Sequence, residues 1–101
     1  MRHFGLLGRS LSHSFSANFF NAKFKAEEID AVYDLIEIEN IEGVRKAIIE
    51  NQLEGFNVTI PYKESIIPYL DELSQEAKEV GAVNCVVIKD ACKVGYNTDV
   101  M

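Results

Sequence analysis

Long apolar runs are missing from this sequence: the longest, such as Val86-Val87-Ile88, hold three or four residues, far short of the roughly 18–20 that cross a bilayer. No membrane-spanning helix is expected. Positive charge is also scarce, with ten Lys and Arg against sixteen Asp and Glu and a net charge of -6. That sign suits neither phosphate backbones nor anionic lipid heads, so nucleic acid and membrane surfaces are not expected partners. The two cysteines, Cys85 and Cys92, stand seven apart, which fits no zinc, haem or CxxC spacing and builds no disulfide framework. Both are expected to be reduced and partly buried, and no metal site is expected. The opening Met1-Arg2-His3-Phe4-Gly5 reaches an arginine and a glycine before an apolar stretch can form, so no secretory leader is read and a cytoplasmic location is the default. Nor is there a Gly-x-Gly-x-x-Gly loop, the usual cradle for a dinucleotide pyrophosphate. What remains is ordinary: 101 residues, 48% apolar, 26% charged and ten Phe and Tyr predict one domain around one buried core.

Periodicity and turn signals divide the chain. His3–Leu7 reads as a first strand, and the polar run 9–14 leads to a helix from about Ser14 to Lys25. In that helix the Phe15/Phe19 and Phe20/Phe24 pairs fall on an i,i+4 stripe expected to pack on a sheet. Ala31–Ile38 is a second strand. Asn40 can cap a helix whose apolar positions Ile41, Val44, Ala47 and Ile48 keep the 3.6-residue period, with Gly55 closing the return. Gly55–Ile60 forms a third strand stopped by Pro61, which suits the first turn of a helix. Short helices are predicted over Tyr62–Ile67 and Ser74–Val80, with Ser74 as N-cap and Gly81 as stop. Ala82–Lys89 and Lys93–Thr98 flank Asp90-Ala91 as a terminal hairpin. The order predicts an α/β fold in three layers, α/β/α, with a mostly parallel sheet and an antiparallel C-terminal hairpin.

Three places carry a pattern with chemical content. Ser14 and Ser16 stand where a helix begins, among unpaired N–H groups that attract an anion such as a carboxylate; the plainer reading is a cap and a solvated first-turn serine. Asn57 and Thr59 alternate with Val58 and Ile60, putting two polar side chains at the carboxyl end of a strand, where open α/β sheets bind ligands. Lys63 then falls in a predicted helix's first turn, where the local field favours losing its proton and suits proton transfer. Its plainer reading is a surface lysine paired with Glu64 or Glu28. In the hairpin, a two-residue turn sets Asn84 opposite Asn97 and diagonal to Asp99, whereas a three-residue loop reverses that parity and leaves Asp99 a strand-ending residue.

Taken together, Gly8 to Ser16 (GRSLSHSFS), Gly55 to Glu64 (GFNVTIPYKE), Gly81 to Asn84 (GAVN) and Asn97 to Asp99 (NTD) resemble the shikimate dehydrogenase family. They match the family's N-terminal substrate-binding domain, in order and over essentially the whole chain, and the resemblance implies an amino-acid-dehydrogenase-like N-terminal fold. It also implies binding of shikimate and 3-dehydroshikimate and their NADP-linked interconversion in the aromatic amino-acid pathway. By position it implies that Ser14 and Ser16 hold the substrate carboxylate, that Thr59, Asn84 and Asp99 hold ring hydroxyls, and that Lys63 is catalytic with Asp99. Asn57 then shapes the pocket. Ala17, Cys85 and Gln75 depart from the family's usual proline, threonine and acidic residue, and none of them removes a substrate ligand. Cofactor-binding residues are not identified in this chain.

With no phosphate loop present, the chain is expected to be an excised part of a longer enzyme, binding substrate without turning it over. Truncation would expose apolar surface for self-association. Two alternatives stand beside this reading: a stand-alone hydroxy-carboxylate sensor and an acidic protein-interaction domain.

Overall fold

Alternation in Arg2–Gly8 sorts Phe4 and Leu6 to one side of a strand and Gly5 and Leu7 to the other, and two layers of helix cover those two sides. The computed structural model describes residues 1–11 and 16–99. The elements are β1 (Arg2–Gly8), α1 (Ser16–Ala26), β2 (Ala31–Glu37), a 3-10 turn (Ile41–Gly43), α2 (Val44–Glu50) and β3 (Leu53–Val58). A second 3-10 turn (Ile67–Tyr69), β4 (Glu72–Leu73), α3 (Gln75–Val80), β5 (Cys85–Lys89) and β6 (Cys92–Tyr96) follow. One six-stranded sheet has the order β2-β1-β3-β5-β6-β4. β1 pairs in parallel with β2 and β3, β5 is antiparallel to β3 and β6, and β4 runs parallel to β6. No helix among the described residues is long and apolar enough to cross a membrane.

The core lies on the face of Leu7, Ile36, Phe56, Val58 and Val86, under Val44, Ala47 and Ile48 of α2 and Ala77 of α3. On the other face Phe20 of α1 stacks on Tyr33 at 4.7 Å and Phe24 meets Phe4 at 6.1 Å between ring centroids. This helix covers the β1–β2 side. Its Asn21 reaches the outer edge of β2, accepting the Tyr33 N–H at 2.8 Å and donating to the Tyr33 carbonyl at 2.7 Å. A side-chain amide thus fills the place of a missing neighbouring strand.

Several expectations hold. Ser74 Oγ accepts the Ala77 N–H, and Gly81, at φ 76°, ends α3 in the left-handed region that glycine adopts without cost. The hairpin turn has two residues, with Asp90 and Ala91 at φ 52° and 65°, and Cys85 stands opposite Tyr96. Both cysteines are free and half-buried.

Others are corrected. Phe19 is 62% exposed because the helix turns it past the sheet, and Phe15 lies outside the described residues. Asn40 makes no side-chain cap. Gly55 lies within β3 opposite Phe4, since α2 already ends at Glu50 and the chain turns at Asn51 and Gln52. β3 stops at Val58, leaving Thr59 and Ile60 beyond the sheet. No helix forms over Tyr62–Ile67: the bonds Tyr62 N–H to Thr59 O, Ile66 N–H to Tyr62 O and Ile67 N–H to Glu64 O mix three- and four-residue spans, and Pro68 offers no donor to extend them. β4 was not expected, because two residues carry no readable alternation.

Two measurements check this packing. Asn21→Ala should lower unfolding stability by about 1–3 kcal/mol, the usual effect of stranding a buried backbone donor and acceptor, read from urea midpoints; an unchanged midpoint contradicts the edge-filling role. Burial pushes the Tyr33 phenol above its ordinary range, Asn57 pulls it partly back and Cys85 adds a smaller upward push. The unfolded chain then releases this proton near pH 10 while the fold retains it. Stability from Tyr33 should therefore be full below pH 10 and decline above it, and Tyr33→Phe should flatten that decline; an identical alkaline slope in both proteins contradicts it.

Candidate functional site

Parallel β1 and β3 both end at the same edge of the sheet, and antiparallel β5 begins there, since Asn57 stands opposite Cys85. The segments named by the four motifs must therefore converge. Gly8 marks the meeting point: a side chain there would start 2.7 Å from Thr59 Cγ2 and 2.8 Å from Leu11 Cδ2, so any other residue would have to push these two side chains aside. Backbone bonds tie the rim together. Thr59 N–H donates to Leu7 O at 2.9 Å, Val58 N–H to Asn84 O at 2.8 Å, Val83 N–H to Lys63 O at 2.7 Å and Asn84 N–H to Tyr96 O at 3.0 Å.

Lys63 sits on this rim. Its neighbour Tyr62 is buried and donates its hydroxyl proton to Ile38 O, while its own carbonyl accepts from Val83, so the backbone on both sides is fixed and the side chain is left half-exposed. Lys63 Nζ lies 3.8 Å from Asp99 Oδ2. The structure thus pairs Lys63 with Asp99 and not with Glu64 or Glu28. No helix begins at Pro61, so no helix field bears on Lys63, contrary to the expectation, and the charge beside it is the Asp99 carboxylate. Exposed pairs of this kind add little to stability, yet a cation and a carboxylate within 4 Å suit the handling of one proton between them.

Asn84 and Asp99 both reach the rim, although their local partners differ from the register-based expectation. The strand pairing ends at Cys85–Tyr96. Beyond it Asn84 Nδ2 donates to Thr98 Oγ1 and Asn84 Oδ1 accepts the Thr98 N–H, both at 3.0 Å. Asn97 turns away, donating to Ala82 O at 3.2 Å and accepting the Asp99 N–H at 3.0 Å. Thr98 therefore orients Asn84, and Asn97 orients Asp99, a division of labour that lay unread inside the NTD motif. Thr59, half-buried, emerges beside Gly8. Asn57 faces the α1 side and donates its Nδ2–H to the Tyr33 hydroxyl at 2.8 Å. Ser14 lies outside the described residues, and Ser16 is the first residue of α1.

No group of three His, Cys, Asp or Glu side chains among the described residues could hold a metal ion. The Gln75 amide donates to Glu79 Oε1 at 3.1 Å within α3. Among the described residues, an apolar groove of about 430 Å³ lies on the α1 side of the sheet, lined by Phe20, Phe24, Tyr33 and Val87 and reaching Asn57 and Cys85.

The profile of the shikimate dehydrogenase substrate binding domain matches residues 6–86. The NADP(+) shikimate dehydrogenase of Staphylococcus epidermidis is 44% identical over 98 residues, which cover 95% of this chain and 36% of that protein. Among solved structures, shikimate dehydrogenase 1 of Peptoclostridium difficile superposes with a TM-score of 0.89 at 44% identity, covering 98% of this chain and 37% of that one. The shikimate 5-dehydrogenase of Listeria monocytogenes, solved in complex with shikimate and NAD, gives 0.89 at 36% identity, covering 98% and 35%. The chain spans about a third of the length of these relatives. Its motifs, its fold and the profile match agree: the chain belongs to the shikimate dehydrogenase family, and the part of that family it matches is the substrate-binding domain.

Proposed function

We propose that this chain is the substrate-binding part of an NADP-dependent enzyme that interconverts 3-dehydroshikimate and shikimate. The observation that carries the reading is the Lys63–Asp99 pair, 3.8 Å apart, at the sheet end where Thr59 and Asn84 also emerge. The ligand this rim suits has a carboxylate at one end and hydroxyls around a ring. Ser14 and Ser16 hold the carboxylate at the start of α1, where N–H groups point outward. Thr59, Asn84 and Asp99 exchange hydrogen bonds with ring hydroxyls, Thr98 holding the Asn84 amide in place. Lys63, with Asp99 beside it, moves the proton of the hydroxyl that becomes the carbonyl.

NADP supplies the redox chemistry and is held by a part of the protein outside residues 1–101. This chain's share is to bind, orient and transfer the proton. Alone it binds without turnover, and its bared sheet face beside α1 favours self-association. The same reading places the protein in the cytoplasm.

The test is a kinetic split in the full-length protein. Lys63→Ala should lower kcat by about 10²–10⁴, the usual share of one positioned acid or base, with KM changed only a few-fold. Ser14→Ala should raise KM and leave kcat nearly unchanged. Equal effects on both constants in both variants overturn these roles.

A further inference from the structure

We infer that Glu37 is a positioning residue for substrate binding, holding Leu11, at the exit of β1 beside Thr59, through one hydrogen bond to its backbone. The inference rests on the proposed function and adds a residue that none of the four motifs contains.

Glu37 is the last residue of β2, beside the end of β1, and its Oε1 accepts the Leu11 N–H at 2.9 Å. Leu11 is itself only 4% exposed, so its amide lies where an unmet donor is costly, and a carboxylate is the strongest acceptor a side chain can offer it. The next residue, Ile38, carries the same junction further. Its N–H donates to Gly8 O at 3.0 Å, and its carbonyl accepts from the Tyr62 hydroxyl. The exit of β2 is thus bonded to the β1 exit at Gly8 and Leu11 and to the residue before Lys63.

Of these three ties, two use the backbone of Ile38 and are available to any residue there. Only the Glu37 bond depends on a side chain of the β2 exit itself, and it holds Leu11, whose Cδ2 lies with Thr59 Cγ2 over Gly8. Arg9, in the same segment, lies over the Tyr62 ring at 5.8 Å, a second and weaker contact to the same support. A threonine hydroxyl that must meet a ring hydroxyl at hydrogen-bond distance gains from fixed surroundings, because positional freedom in the free protein is lost on binding. Glu37 limits that freedom from outside the site. Its effect therefore belongs to binding and not to the chemical step.

The experiment compares Glu37→Ala, Glu37→Asp and Glu37→Gln in the full-length protein, reading hydrogen exchange of the Leu11 amide together with KM and kcat for shikimate. The amide of Gln keeps an acceptor at the same reach, whereas Asp keeps the charge but is one methylene short. Glu37→Ala and Glu37→Asp should speed exchange at Leu11 and raise KM about three- to tenfold, with kcat within twofold, and Glu37→Gln should restore both to near the parent values. Unchanged exchange in Glu37→Ala overturns the inference whatever the ligand. So does an unchanged KM, or a Gln variant as impaired as the Ala variant. Parent protein that shows the Glu37-dependent exchange but no reaction with shikimate overturns the proposed function while leaving the tie itself in place.

Discussion

The exits of β1 and β3 meet at Gly8, and much of the molecule follows from that contact. A Cβ there would start 2.7 Å from Thr59 Cγ2 and 2.8 Å from Leu11 Cδ2, and Thr59 N–H donates to Leu7 O at 2.9 Å, so the β1 exit and the β3 exit lie against each other. Parallel pairing of β1 with β3 brings their carboxyl ends together, and the antiparallel entry of β5 brings GAVN to the same edge. Each later step depends on this contact. Thr59 turns the chain at the rim, Tyr62 drops into the core beneath it, and Lys63 is left facing outward with Asp99 in reach.

The two helical layers serve this edge unequally. α2 and α3 close the core under β1, β3 and β5, with Val83 and Val86 fully buried, which fixes the height of Asn84 at the rim. α1 covers the opposite face only over β1 and β2, and Asn21 completes the edge of β2 as a short strand would. Rigidity at the β2 edge matters beyond packing, since β2 ends in the Glu37-Ile38 pair that contacts the β1 exit and Tyr62. Support for the site thus comes from a strand that contributes no ligand to it.

The fold was legible in the sequence wherever periodicity was long or turn chemistry explicit. Three strands, α2, the Ser74 cap, the Gly81 stop and the two-residue hairpin turn belong there. Pro61 misled, because a proline that suits a helix start suits other turns equally well, and the hydrogen bonds directly after it mix two spans before the 3-10 turn at Ile67–Tyr69. Phe19 misled because one helix carries two adjacent aromatics and a single stripe can bury only one of them. For the site, Lys63, Thr59, Asn84 and Asp99 could be read from spacing and resemblance, and the structure brings them to one edge. Thr98 as the partner of Asn84 could not, since strand parity says nothing once the ladder ends. Glu37 was equally silent: a lone acid at a strand end has no pattern, and its meaning appears only when Leu11 is folded against it.

The central claim is that this edge alone forms the binding surface, and a titration of the 15N-labelled 101-residue protein with shikimate tests it most directly. Saturable amide shifts should gather at Thr59, Lys63, Asn84 and Asp99 and leave Phe24, Val87 and the α1 groove unmoved. Shifts centred on that groove, or none at the rim at millimolar shikimate, would contradict the account.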